Sequence, residues 1–436
     1  MFHMPLWNIA PSAVAASAID WDWQYVWSPL VFYVACVFVL FGAGRIPDVR
    51  SNRLTWPFQM ISSSLTRLTG MPGWAAATVL SALLMLWMAV LGFYWDVAWH
   101  IDFGRDRQLF TPPHTMIVLG LGGLVYCAGV AITFATIEKA PVGFRVGPLH
   151  VPWSAPCLAA FGIGGVAAFP FDNLWHQTYG VDVTLWTPTH LQLLSGGVFS
   201  TIAVWLTIAE ARGQSRPTLV GRLIHIVAAG AVLVGLSTFQ GEFDFGASQF
   251  QMLYLPVLVA ATAAFSLVAA RLILGPGGAI KAVAAYLVLR TALSAIVGGS
   301  LQHTLPHFPL YLPSAVCVEV VALLLRTSHP LRFALAAGIS VGTLGLALEW
   351  LWIDSWGLSF LSPVLIPKAA MLGPLAAAGA ALLATGLATA FTGDSLRIPA
   401  TVVAIGGLAV VAALAYPYPR EVSDVAATVG VEASAD

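Results

Sequence analysis

The segment DVAWHIDFGRDRQLFTPPH, residues 96–114, carries three aspartates, two histidines and two arginines in a chain that is otherwise strongly apolar. Asp96 and His100 are four residues apart, so on a helix they share one face and can hold one ion together. The chain then turns through FGRDRQLF and re-enters at TPPH, where Thr111 suits an N-cap and Pro112 the first helical position. His114 falls in the first turn of that second helix. The positive end of the helix disfavours imidazolium there and leaves the neutral ring that binds metal. One carboxylate and two imidazoles from adjacent helices describe an open site, which suits chemistry better than a purely structural role. The donor set admits iron, zinc or copper.

The same pattern returns in DNLWHQTYGVDVTLWTPTH, residues 172–190, at an offset of 76 (172 − 96). Nine of nineteen positions are identical, among them Asp172, Trp175, His176, Asp182, Thr187, Pro188 and His190. Two apolar spans separate the copies, so both hairpins point the same way and the repeat is parallel. A pair of hydrogen-bonded intramembrane histidines would account for one copy. Two copies in register favour ligands, because ionisable groups at membrane depth are costly and usually functional. Asp96, His100 and His114 are therefore the candidate catalytic and metal ligands, with Asp172, His176 and His190 as a second metal set. Trp99 and Trp175 stand directly before a ligand in each copy, placed to pack over the metal or to wall an apolar pocket. Whether the two sets make separate sites or one cluster depends on whether the hairpins touch.

The run Asp96-Val-Ala-Trp99-His100, then Arg105-Asp106, then Phe110-Thr111-Pro112-x-His114 resembles the metal-site segment of the C subunit of the copper membrane monooxygenases, the particulate methane and ammonia monooxygenases. The resemblance covers about twenty residues, and this chain departs from it by one extra residue before Phe110, by its length and by its second copy. It implies copper held by Asp96, His100 and His114, activation of dioxygen, a small apolar substrate, and a need for partner subunits or a homo-oligomer. Arg105 and Asp106 would then support the ligands. In the second copy Val181 and Val183 replace Arg105 and Arg107, and Asp182 alone remains of that group.

Such hairpins need long apolar helices to position them, and the composition supplies these. Of 436 residues, 58% are hydrophobic and 9% charged, against roughly 25% charged in an ordinary soluble domain. An all-α polytopic membrane protein is expected, in contact with a lipid bilayer. About twelve spans are expected, near 26–44, 74–95, 112–136, 153–171, 188–209, 219–239, 251–272, 280–299, 309–326, 331–352, 364–391 and 399–416. The transmembrane domain runs over 26–416, with the motif hairpins at 74–136 and 153–209; 1–25 reads as a leader and 417–436 as a polar tail. A net charge of −1 gives no electrostatic case for nucleic acid. Basic residues such as Arg67, Arg145, Arg212, Lys281 and Arg332 fall in every second loop. The positive-inside rule then places the motif hairpins and both termini on the extracytoplasmic side of the cell membrane.

Outside the motif, His303 and His307 flank a proline that breaks a shared helical face. Glu242, Asp244, Glu349 and Asp354 read as loop or interface acids, and Arg290 with Glu319 as an intramembrane pair. The four cysteines lie in different spans without metal-ligand spacing. A metal or proton transporter, or a copper-handling membrane protein without catalysis, is the alternative function. It is disfavoured because the ligands gather at one side and the repeat is parallel rather than inverted.

Overall fold

A computed structural model describes residues 55–104, 110–179, 184–248, 251–325, 327–358, 361–393 and 399–415, leaving aside the side chains of His176, Gln177 and Tyr179. The expected span at 26–44, the leader, the tail, Arg105, Asp106 and Asp182 lie outside the described residues.

Among the described residues the fold is all-α apart from one β-hairpin, Phe144–Val146 with Leu149–Val151. In chain order the helices are α1 (Trp56–Thr69), α2 (Gly73–Phe103), α3 (Pro112–Glu138), α4 (Ser154–Tyr179) and α5 (Pro188–Ala211). There follow α6 (Leu219–Asp244), α7 (Tyr254–Leu274), α8 (Gly278–Ser300) and α9 (Leu312–Leu325). The last are α10 (Pro330–Trp356), α11 (Ile366–Thr392) and α12 (Ala400–Ala415). Nine helices among the described residues, α2 to α8 with α10 and α11, are long and apolar enough to cross a membrane. A multi-pass arrangement follows, since in lipid each backbone polar group must be satisfied inside its own helix or by protein around it.

Three elements differ from expectation. The span expected at 399–416 is the 16-residue α12, which is not among the nine. α1 occupies part of a basic stretch that reads as a loop. The span expected at 309–326 begins only at Leu312, and α9 has 14 residues, about 21 Å of helix. The preceding residues 301–311 include Pro306 and Pro309, which cannot sustain a helix. This strap runs non-helical through the bundle, and side chains satisfy its backbone. Ser294 donates to the Pro306 carbonyl at 2.8 Å, Tyr286 to Pro309 at 2.9 Å and Trp352 to Phe308 at 3.0 Å.

Candidate metal centre

The motif helices close on one another. α2 packs on α3 and α5, and α4 packs on α3 and α5, giving a four-helix bundle whose ends can carry a shared site. Small residues allow the approach. A Cβ on Gly120 of α3 would lie 2.5 Å from the Ala89 backbone nitrogen of α2, and one on Gly196 of α5 would lie 2.8 Å from the Gly165 Cα of α4. Each pair sits a few turns from the ligands, so the glycines fix how closely the ligand-bearing ends meet.

α2 has 31 residues and is about 46 Å long at 1.5 Å per residue, whereas the hydrocarbon is about 30 Å thick. If the excess were shared equally between the two ends, the hydrocarbon boundary would fall between Asp96 and His100.

At that level the expected ligands come together. His114 Nε2 lies 3.0 Å from Asp96 Oδ1, and His100 Nδ1 lies 3.6 Å from Asp96 Oδ2. The two imidazole centroids are 5.6 Å apart, and one donor atom from each of the three residues lies within 4.8 Å of the others. Bonds of about 2.0–2.1 Å to a tetrahedral ion separate ligand atoms by about 3.3 Å. The Asp96–His114 spacing already suits an ion, and side-chain rotation suffices to draw in the third ligand. Asp96 Oδ1 is buried, and among the described residues it has no well-directed donor besides the His114 imidazole at 3.0 Å. An acceptor left in this state fits a cation.

The second copy repeats part of this arrangement. His190 Nε2 lies 3.4 Å from Asp172 Oδ1. The other ring nitrogen, Nδ1, faces the Thr184 carbonyl at 3.1 Å; a proton there would leave Nε2 as the ligand atom. Thr111, expected as the N-cap, holds that place on α3 without a side-chain cap bond, whereas its counterpart Thr187 caps α5, accepting from the His190 backbone. Thr189 donates to Asp172 Oδ1 at 2.6 Å; the equivalent residue in the first copy is Pro113, which has no donor. Asp96 is thereby the carboxylate more available to a cation.

The two hairpins do touch: α2 packs on α5 and α3 on α4, and the His114 ring meets Phe169 of α4 at 5.9 Å. Among the described residues, Asp96, His100 and His114 are the one group of three with metal-ligand spacing; the side chain of His176 is not described.

Beneath these residues lies an apolar cavity of about 100 Å³, with Leu86, Phe93, Ile117, Leu121, Leu194 and Leu289 in its wall. Of its α2 wall residues Phe93 comes nearest to the ligands in the chain, one turn before Asp96, and none of the three ligands is in the wall. Trp99 is not in that wall. Its ring sits with Trp95, Phe103 and His303, at 6.3, 5.1 and 5.6 Å between centroids. Trp175 is half-buried and also apart from the cavity.

Other expectations need correction. Glu242, Asp244 and Glu349 are buried rather than loop acids, at 5, 4 and 0% exposure. Arg290 pairs with Asp244 at 2.7 Å, and Glu319 with Arg271 at 2.9 Å, so Arg290 and Glu319 are not partners. The alternative pairing arises because α6 ends beside the strap and brings Asp244 to Arg290, while α9 carries Glu319 toward the end of α7. His303 binds Asp102 at 2.7 Å, and His307 stacks on Trp356 at 4.6 Å. Tyr94, which donates to Asp244 at 2.7 Å, had no distinguishing sequence signal beyond being a tyrosine inside an apolar span.

No family model matches the chain, and no curated protein or solved structure matches it.

Proposed function

We propose that this chain is a membrane-bound, metal-dependent oxidoreductase resembling the copper membrane monooxygenases, oxidising a small apolar molecule with dioxygen. The observation that carries the reading is the meeting of Asp96, His100 and His114 at one end of a membrane bundle whose interior holds an apolar cavity. Copper bound there, with iron or zinc as the other ions the donors admit, would supply the redox chemistry.

The chain's own residues do the rest. Asp96 supplies the negative charge that balances a cation at the edge of the hydrocarbon. α2 and α3 fix the imidazoles on facing helix ends, which keeps the ligands in register without loop motion. The cavity wall excludes water and admits an uncharged molecule that partitions into the bilayer. Asp172, His176 and His190 are the ligands for a second ion on the same end of the bundle. The alternating basic loops put this end on the extracytoplasmic side of the cell membrane, and partner subunits or a second copy of the chain complete the enzyme.

Membranes containing the protein, supplied with a reductant and any required partners, are expected to incorporate label from isotopic dioxygen into a short hydrocarbon. Asp96→Ala abolishes this beyond any loss of protein. A metal or proton transporter is the second reading, favoured by the buried Asp244–Arg290 pair. Metal-dependent ion flux in proteoliposomes, with no oxygen incorporation across a broad substrate panel, selects it.

A further inference from the structure

Glu349 is fully buried on α10, seven residues before the helix ends at Trp356 and so about 10 Å below that end. Its Oε1 accepts the Leu310 N–H at 2.5 Å, and the Tyr311 N–H bears on the same carboxyl. Its Oε2 is buried with no hydrogen-bond partner, and no cationic side chain pairs with it among the described residues.

Two further side chains of the same region are left incomplete. Arg290, 0% exposed, bonds Asp244 and the His307 carbonyl through Nη2 and lies over the Tyr94 ring, while its Nε and Nη1 have no acceptor among the described residues. Gln240, also 0% exposed, donates to the Tyr311 hydroxyl at 2.6 Å, while its Oε1 has no donor among the described residues. All three residues grip one stretch of the strap, residues 307–311, from α10, α8 and α6. Unsatisfied donors and acceptors gathered in this way are the usual setting of buried water.

Charge counting decides the state of the acid. The single positive charge of Arg290 is already matched by Asp244 at 2.7 Å. The other titratable groups around Glu349 are neutral phenols: Tyr286 on α8, Tyr311 before α9 and, on the far side of Arg290, Tyr94 on α2. His307 of the strap is occupied with Trp356, and Glu319 of α9 with Arg271 of α7. An ionised Glu349 would leave the region with an unbalanced negative charge in a low-dielectric interior.

We propose that Glu349, which grips the same strap as Arg290 and Gln240, is an intramembrane proton-loading site that holds an exchangeable proton and passes it to water at its unpartnered Oε2. On release the carboxyl O–H bond breaks, its electron pair stays on Oε2, and the proton joins a water oxygen as hydronium. The carboxylate left behind is uncompensated and takes a proton back, so the site cycles rather than stays empty. The inference stands apart from the metal reading.

Infrared difference spectra of the full chain in proteoliposomes, in ordinary and heavy water, test it. The expected result is a protonated-carboxyl band that shifts in heavy water faster than the core amides exchange. The band is absent in Glu349→Gln and displaced in Glu349→Asp. No band that separates wild type from Glu349→Gln means a permanent carboxylate and overturns the proposal. A Glu349 band that exchanges only with the core amides means a static structural acid and overturns it equally. Thermal unfolding checks that the variants fold; should Glu349→Gln fail, the displaced band of Glu349→Asp carries the assignment.

Discussion

His190 Nε2 lies 3.4 Å from Asp172 Oδ1, the relationship that His114 Nε2 and Asp96 Oδ1 hold at 3.0 Å. The repeat in the sequence is thus a repeat in space, with each carboxylate on the outgoing helix facing an imidazole in the first turn of the returning one. The copies differ in what else reaches the carboxylate, and that difference can be measured.

Thr189 donates to Asp172 at 2.6 Å. In Thr189→Val the carboxylate loses the bond that orients it, and metal affinity at the second set falls about 10–100-fold, as for other partners of metal ligands. The first set keeps its affinity, since Pro113 stands in the equivalent place. Isothermal titration of metal-free protein resolves the two. Equal weakening of both sets would show that they bind as one cluster.

Gly120 sets the spacing of α2 and α3. Gly120→Val drives a side chain into the Ala89 backbone, 2.5 Å from the added Cβ, at a cost of about 1–3 kcal/mol for overpacking. The ligand-bearing ends then part, so the variant loses metal as well as melting temperature. Gly164→Ala, where nothing lies within 4 Å of the added Cβ, leaves both unchanged. Metal content and unfolding in detergent read the pair, and a Gly120→Val protein of wild-type stability would contradict the packing argument.

Much of this site could be read from the sequence because its signal is local: Asp96 to His100 is one helical turn, and TPPH and TPTH announce the returning helices. The partners of Arg290 could not be read so. Asp244 lies 46 positions earlier in a stretch that resembles an ordinary polar hairpin, and nothing in hydropathy separates it from Glu319. The strap was equally hidden, since its prolines exclude a helix but do not say that Ser294, Tyr286 and Trp352 satisfy its carbonyls. α1 was missed because the basic residues around it mark a loop by charge without excluding a helix. Trp99 was expected near the metal or the cavity, but its ring is held by Phe103 and His303, and His303 lies far along the chain.

Arg290 is buried, and removing it strands Asp244. Arg290→Met is expected to destabilise the fold by about 3–5 kcal/mol, the usual result of breaking one side of a buried pair. Arg290→Met with Asp244→Leu recovers much of that loss, because no charge then remains unpaired. Unfolding in detergent measures both. A neutral single variant would mean that water, and not Arg290, sustains Asp244.

The membrane orientation is tested by cysteine labelling in a background free of native cysteines. Phe103, 69% exposed at the motif end, and Val146, 54% exposed in the β-hairpin at the other end, are replaced singly. An impermeant thiol reagent is expected to label Phe103→Cys in intact cells and Val146→Cys only after lysis. The reverse order would invert the topology.

The central claim is that Asp96, His100 and His114 hold a metal ion, and X-ray absorption on copper-loaded protein of measured metal content tests it most directly. The expected spectrum shows nitrogen and oxygen ligands at about 2.0–2.2 Å, with imidazole scattering. His100→Ala with His114→Ala removes roughly one equivalent of metal, and His176→Ala with His190→Ala another. Sulfur at about 2.3 Å, or unchanged metal content in the protein lacking all four histidines, would contradict the account.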